Sequence, residues 1–110
     1  MKKSRKTNPA PKGLSMEARK LWHAVVTEYE MDAPGLTLLK EACLALDRLR
    51  QAQEVLARDG IVIVDRWGQP RQHPATLVER DARNQVLKFI KELHLDIDVG
   101  ASVGAPVARI

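Results

Sequence analysis

The chain has little of what most catalytic and secreted proteins are built from. It holds one cysteine in 110 residues, Cys43. That excludes an internal disulfide and any multi-cysteine zinc site within one chain, and it fits a reducing compartment. Its aromatics are Trp22, Trp67, Tyr29 and Phe89 and no others. A core must therefore come from Leu, Val, Ile and Ala. No apolar run is long enough to span a membrane. The opening M-K-K-S-R-K-T-N-P-A-P-K is basic but lacks an apolar h-region, so no secretory signal is expected.

Catalytic patterns are missing too. There is no G-x-x-x-x-G-K-[ST] and no G-x-G-x-x-G, so no phosphate-cradling loop. No serine stands in a nucleophile-elbow pattern. His23, His73 and His94 lie far apart, without a second His or a Cys at metal-ligand spacing. The acids Asp47, Asp59, Asp65 and Asp81 are isolated from one another in sequence, whereas two-metal hydrolysis uses clustered carboxylates. The expectation is a protein that is not an enzyme, with no cofactor and no metal.

What is present begins with charge. Lys2, Lys3, Arg5, Lys6 and Lys12 fall within residues 1–16, which contain no acid. The net charge of +4 and the pI near 9.5 therefore belong to this arm, and the rest of the chain is close to neutral. A short basic segment with Pro9, Pro11 and Gly13 cannot bury enough surface to fold alone. Such arms lie along phosphate backbones; the alternative is an ordinary solubilising terminus. Residues 1–13 are read as a disordered basic arm, 14–96 as a helical domain, and 97–110 as an irregular tail.

The helical domain opens at Ser15, a good N-cap, with Glu17 placed to suit the helix dipole. Ala18, Leu21, Trp22, Val25, Val26 and Tyr29 recur at helical period, so a first helix runs to about Glu30. A second starts after Asp32, tolerates Pro34 in its first turn and ends near Asp59, with Gly60 as its stop. That is roughly 40 Å of helix. Leu36, Leu39, Ala42, Cys43, Leu46, Leu49 and Leu56 form its main face, with Cys43 an inert packed thiol. Leu44 and Val55 fall on the opposite side, about 20° apart. They are read as an oligomer interface or as two stray surface hydrophobes.

The stretch 59–75, D-G-I-V-I-V-D-R-W-G-Q-P-R-Q-H-P-A, matches neither flanking helix. It predicts a β-hairpin at about 61–72, with Arg66-Trp67-Gly68 as the turn. Ile61/Ile63 and Val62/Val64 make the first strand apolar on both sides. The hairpin should then be covered by the chain's own helices and by a neighbouring subunit, with Ile61, Ile63 and Trp67 at the interface. His73 and Pro74 open a third helix, whose core stripe is Ala75, Val78, Ala82, Val86, Phe89, Ile90 and Leu93. Its far side carries Arg80, Asn84, Lys88 and Lys91, with Leu77 and Leu87 among them. That side is either a solvated face or a surface for DNA or a partner. The fold class is mainly α: three helices, two of them long, with a hairpin between the second and third, assembling as a helical oligomer.

In this order and spacing the pieces resemble the small terminase subunits of tailed phages and prophages. The pieces are A-P-K-G-L-S, L-W-H-A-V-V-T-E-Y-E, L-x-L-L-K-E-A-C-x-A-L-D-R, the hairpin stretch, and V-E-R-D-A-R. The resemblance implies a non-enzymatic DNA-packaging factor forming a homo-oligomeric ring. Such a factor binds double-stranded viral DNA and presents it to the large terminase subunit, which carries the ATPase and nuclease. It implies the cytoplasm of an infected or lysogenic bacterial host, with no membrane involved. The arm is the first candidate for DNA contact; Arg66, Arg71 and Arg80 come second, then Lys88 and Lys91. Arg66 could instead pair with Asp65 or Asp81. No helix reads as a helix-turn-helix recognition helix. Two other readings remain: a phage- or prophage-encoded DNA-binding regulator, and a helical adaptor that binds protein only.

Overall fold

The computed structural model describes residues 8–93. Within them the order is α1 (Met16–Glu28), α2 (Ala33–Asp59), β1 (Val62–Val64), β2 (Pro70–Gln72) and α3 (Ala75–Glu92). The expected three helices and interposed hairpin are all there. No helix among the described residues is long and apolar enough to cross a membrane.

Local chemistry sets the helix ends. Ser15 Oγ accepts the Ala18 N–H at 3.1 Å, capping α1. α1 stops at Glu28, two residues before the expected end, and the Tyr29 N–H closes the last turn on Val25. Asp32 Oδ1 accepts the Gly35 N–H at 2.9 Å and starts α2. Gly60 ends α2 at φ +83, a region that an L side chain avoids. α3 begins one residue later than expected. Pro74 stands at its N-cap with no side-chain capping bond of its own. His73 supplies the cap instead, its Nδ1 accepting the Ala75 N–H at 3.0 Å.

α2 is the central element, with α1 and α3 packed against it. Leu39, Ala42, Cys43, Ala45, Leu46, Leu49 and Ala52 are buried along it. Trp22 and Val25 come in from α1, and Ala82, Val86 and Phe89 from α3. Fully burying a side chain such as Leu46 or Leu49 contributes about 1.5–3 kcal/mol. This arrangement explains why α2 is apolar on more than one side: both of its neighbours are in the same chain. Leu44, expected to face another subunit, is half-buried and packed against this core. Val55 is half-buried. Val78, assigned by periodicity to the core, is instead 44% exposed, at the edge of the α3 stripe.

α1 is also tied to α2 by polar contacts. Asp47 accepts the Ser15 N–H at 2.9 Å and the Ser15 hydroxyl. Arg50 grips the Glu17 carboxylate with Nε and Nη2, both at 2.9 Å. The chain just before α1 docks as well. Trp22 Nε1 donates to the Asn8 carbonyl at 2.8 Å, Leu14 is buried, and Ala10 packs on the core. Asn8 to Gly13, counted with the arm on composition, thus run along the helical unit.

Candidate nucleic-acid interface and assembly surface

The hairpin is organised by one carboxylate. β1 and β2 pair antiparallel, Val62 with Gln72, Ile63 with Arg71 and Val64 with Pro70. Between them Asp65 accepts the Trp67 and Gln69 N–H groups through Oδ1, each at 2.9 Å. Its Oδ2 receives Arg71 Nε at 2.9 Å. Gly68 sits at φ +78 and donates to the Asp65 carbonyl at 3.0 Å. Asp first and Gly fourth are the residues this turn favours. Arg71 and the two backbone donors hold the Asp65 carboxyl below its ordinary range.

The hairpin's base is fixed by a second carboxylate. Asp59 receives Arg58 Nε at 2.8 Å and lies 3.0 Å from His73 Nε2. These partners, Arg58 foremost, bring the Asp59 pKa down to about 2. Because His73 Nδ1 accepts from Ala75, the neutral ring carries its proton on Nε2 and donates it to Asp59. The His73 N–H also bonds the Ile61 carbonyl at 2.7 Å. The side chain between helix and hairpin therefore joins α2, the hairpin and α3 at one point.

Beyond that joint the hairpin stands away from the helices. Ile61 is 64% exposed, Val62 56%, Val64 68% and Trp67 69%. Ile63 alone of its apolar residues is half-buried. The expected covering by the chain's own helices is thus absent on the Val62–Val64 face. The reason is geometric: short connections at Gly60 and His73 carry the ribbon past the helix ends. Of the expected interface residues, Ile61 and Trp67 are open and Ile63 is partly used. Val62 and Val64 are as open as these two, as their period-2 alternation with Ile61 and Ile63 allows.

The expected DNA contacts fall in separate places. Lys2, Lys3, Arg5 and Lys6 lie outside the described residues. Lys12 is exposed within the docked stretch that precedes α1. Arg66 pairs with neither Asp65 nor Asp81: Arg71 and Arg80 take those acids. Its guanidinium lies over the Trp67 ring, 4.8 Å from the centroid, a cation–π geometry. Arg71 is committed to Asp65, although 64% of its side chain is exposed. Arg80, Lys88 and Lys91 are exposed along α3. Arg80 and Lys88 are separated by about 12 Å along the axis. The structure makes a discontinuous basic surface of these groups.

Among the described residues no group of three His, Cys, Asp or Glu could hold a metal. Cys43 is buried, its Sγ 3.5 Å from the Ala18 carbonyl, and burial pushes its pKa up to about 12. Compared with known proteins, the chain matches the family described as phage terminase, small subunit, over residues 18–108. No curated protein and no solved structure matched it. The match takes in all of α2, the hairpin and α3 and nearly all of α1, and on that extent the chain belongs to the phage terminase small subunit family, whose role is in phage DNA packaging.

Proposed function

We propose that the protein is the non-catalytic DNA-binding component of a packaging terminase. It binds double-stranded viral DNA and hands it to the large subunit, which supplies the ATPase and nuclease. The family match over residues 18–108 carries this reading. The basic arm, with Lys2, Lys3, Arg5, Lys6 and Lys12, is the principal phosphate contact. Arg80, Lys88 and Lys91 extend it over the body, while Arg71 serves mainly to brace the hairpin and Arg66 lies over Trp67. Phosphate contacts of this kind position a protein without reading sequence.

The protein works as a homo-oligomeric ring in the host cytoplasm. Four exposed apolar side chains on one small hairpin are the support for association; scattered single hydrophobes would need no explanation, but a cluster does. A ring multiplies modest contacts per subunit by avidity. Solution mass with and without a DNA duplex tests the reading. The expected result is an assembly larger than a monomer, with a further mass increase on DNA at low salt. A strict monomer at tens of micromolar that retains no DNA would overturn it.

A further inference from the structure

The hairpin has an exposed apolar face at one end of the α2–α3 pair, and a groove lies at the other end. Leu38, Glu41 and Ala42 of α2 face Lys88, Phe89 and Glu92 of α3 across a cleft of about 300 Å³. A buried apolar cavity half that size, about 150 Å³, holds a benzene ring, so this cleft has room for an indole. Leu38 is 45% exposed on its wall. Glu41 and Glu92 on its rim make no ion pair among the described residues, against one lysine, Lys88. The hairpin tip presents the complement: Trp67, 69% exposed, with Arg66 stacked on it and paired to no acid among the described residues.

The two features cannot meet within one chain. From Leu38 to Asp59 α2 rises about 32 Å, and the hairpin leaves from the far end. We infer that the Trp67 tip of one copy seats in the α2–α3 groove of a second copy, with Arg66 against Glu41 and Glu92. This names the contact behind the self-association proposed above and rests on that reading. Tip and groove are different patches, so the contact is heterologous. Repeated, it runs head to tail and closes into a ring or continues as a filament. A larger cleft beside Ser15, lined by Glu17, Asp47 and Arg50, is the weaker receptor. Two of its three acids, Glu17 and Asp47, are already engaged by Arg50 and Ser15, which leaves Glu54 alone.

Two variants test this without touching the buried core: Trp67→Glu removes the tip and Leu38→Glu blocks the groove. Each should weaken association about thirtyfold or more, as loss of an interface anchor does. The decisive sample is their equimolar mixture. The Leu38→Glu copy keeps a good tip and the Trp67→Glu copy a good groove. The mixture should therefore yield a dimer and stop there, since no second contact can form. Arg66→Glu should also weaken assembly, and Glu92→Arg in the same chain should restore it. A mixture that stays monomeric while the parent assembles overturns the inference and leaves the self-association reading standing. So does a Leu38→Glu protein that dimerises alone, which means hairpin meets hairpin. A loss of DNA retention at unchanged mass assigns the tip to DNA and overturns it as well. A parent that is itself monomeric removes both.

Discussion

Asp47→Ala should loosen α1 from the rest of the molecule. Asp47 is half-buried on α2 and takes two hydrogen bonds from Ser15, one from the backbone N–H at 2.9 Å and one from the hydroxyl. The hydroxyl oxygen meanwhile accepts from Ala18 at 3.1 Å. By taking the hydroxyl proton, the carboxylate turns the oxygen's lone pair toward the helix start. A hydrogen bond to a charged acceptor contributes about 1.5–3 kcal/mol. Ser15 is exposed, so water replaces part of what is lost, and the two bonds together should be worth about 2 kcal/mol rather than their full sum. Ser15→Ala forfeits the cap, about 1 kcal/mol, together with one Asp47 bond. The two variants share that bond, so the double variant should fall short of additivity by about 1 kcal/mol.

Urea unfolding at fixed protein concentration reads these numbers; concentration must be held because association shifts apparent stability. In a domain of this size 1 kcal/mol moves Tm by about 4–8 °C, so the Asp47→Ala loss should be about 8–16 °C. Asp47→Asn keeps the shape and one acceptor and should fall between. If Asp47→Ala lies within about 0.5 kcal/mol of the parent, the range of an ordinary surface change, the Ser15–Asp47 link does not dock α1. Strict additivity in the double variant leads to the same conclusion.

The remaining predictions concern the arm, the hairpin and the thiol. If the arm neutralises about five phosphates, the log–log salt slope for DNA retention should be about −4 to −5 per engaged arm; deleting residues 1–12 should remove it, and an unchanged slope would place DNA contact elsewhere. Asp59 has its pKa lowered from 3.8 to about 2 and Asp65 is lowered in the same direction. Their support for the hairpin is therefore complete above about pH 4 and lost as pH falls toward 2. The Trp67 indole NMR signal should shift toward its unfolded position across that window, and a signal unchanged to pH 2 contradicts this. Cys43, buried and with its pKa pushed up to about 12, should resist thiol reagents at pH 8 until the protein unfolds. Rapid stoichiometric labelling of the native protein would show that its packing is misdescribed.

The helices were legible because their signals are local. Ser15 and Asp32 cap by their own side chains, Gly60 stops α2 through its φ, and the apolar stripe of α1 recurs at helical spacing. Asp65 and Gly68 likewise announce a turn. What could not be read was which partner each surface would find. The apolar faces of α2 look surplus along the chain, yet most of that surface is covered by α1 and α3, with Leu38 left exposed. Arg66 has two acids within reach by sequence, yet Arg71 and Arg80 occupy them, a competition that only three-dimensional placement decides. His73 was legible as a helix-entry residue. Its second bond, to Asp59 fourteen positions away, has no sequence signal.

The bond from the Trp22 indole to the Asn8 carbonyl sets a leash length. Lys2 is six residues before Asn8, and a chain of that length spans at most about 22 Å. The backbone of Lys2, Lys3, Arg5 and Lys6 is therefore confined to a sphere of that radius about a point fixed on α1. Duplex DNA carries one negative charge per about 1.7 Å of axis, so about 13 phosphates pass through such a radius. The arm does not lack phosphates to reach; what the fold controls is where the sphere is centred. A change at Trp22 that frees Asn8 would leave the arm's charge intact and lengthen its tether, so that the DNA contact proposed for the arm would wander instead of being held at a set height.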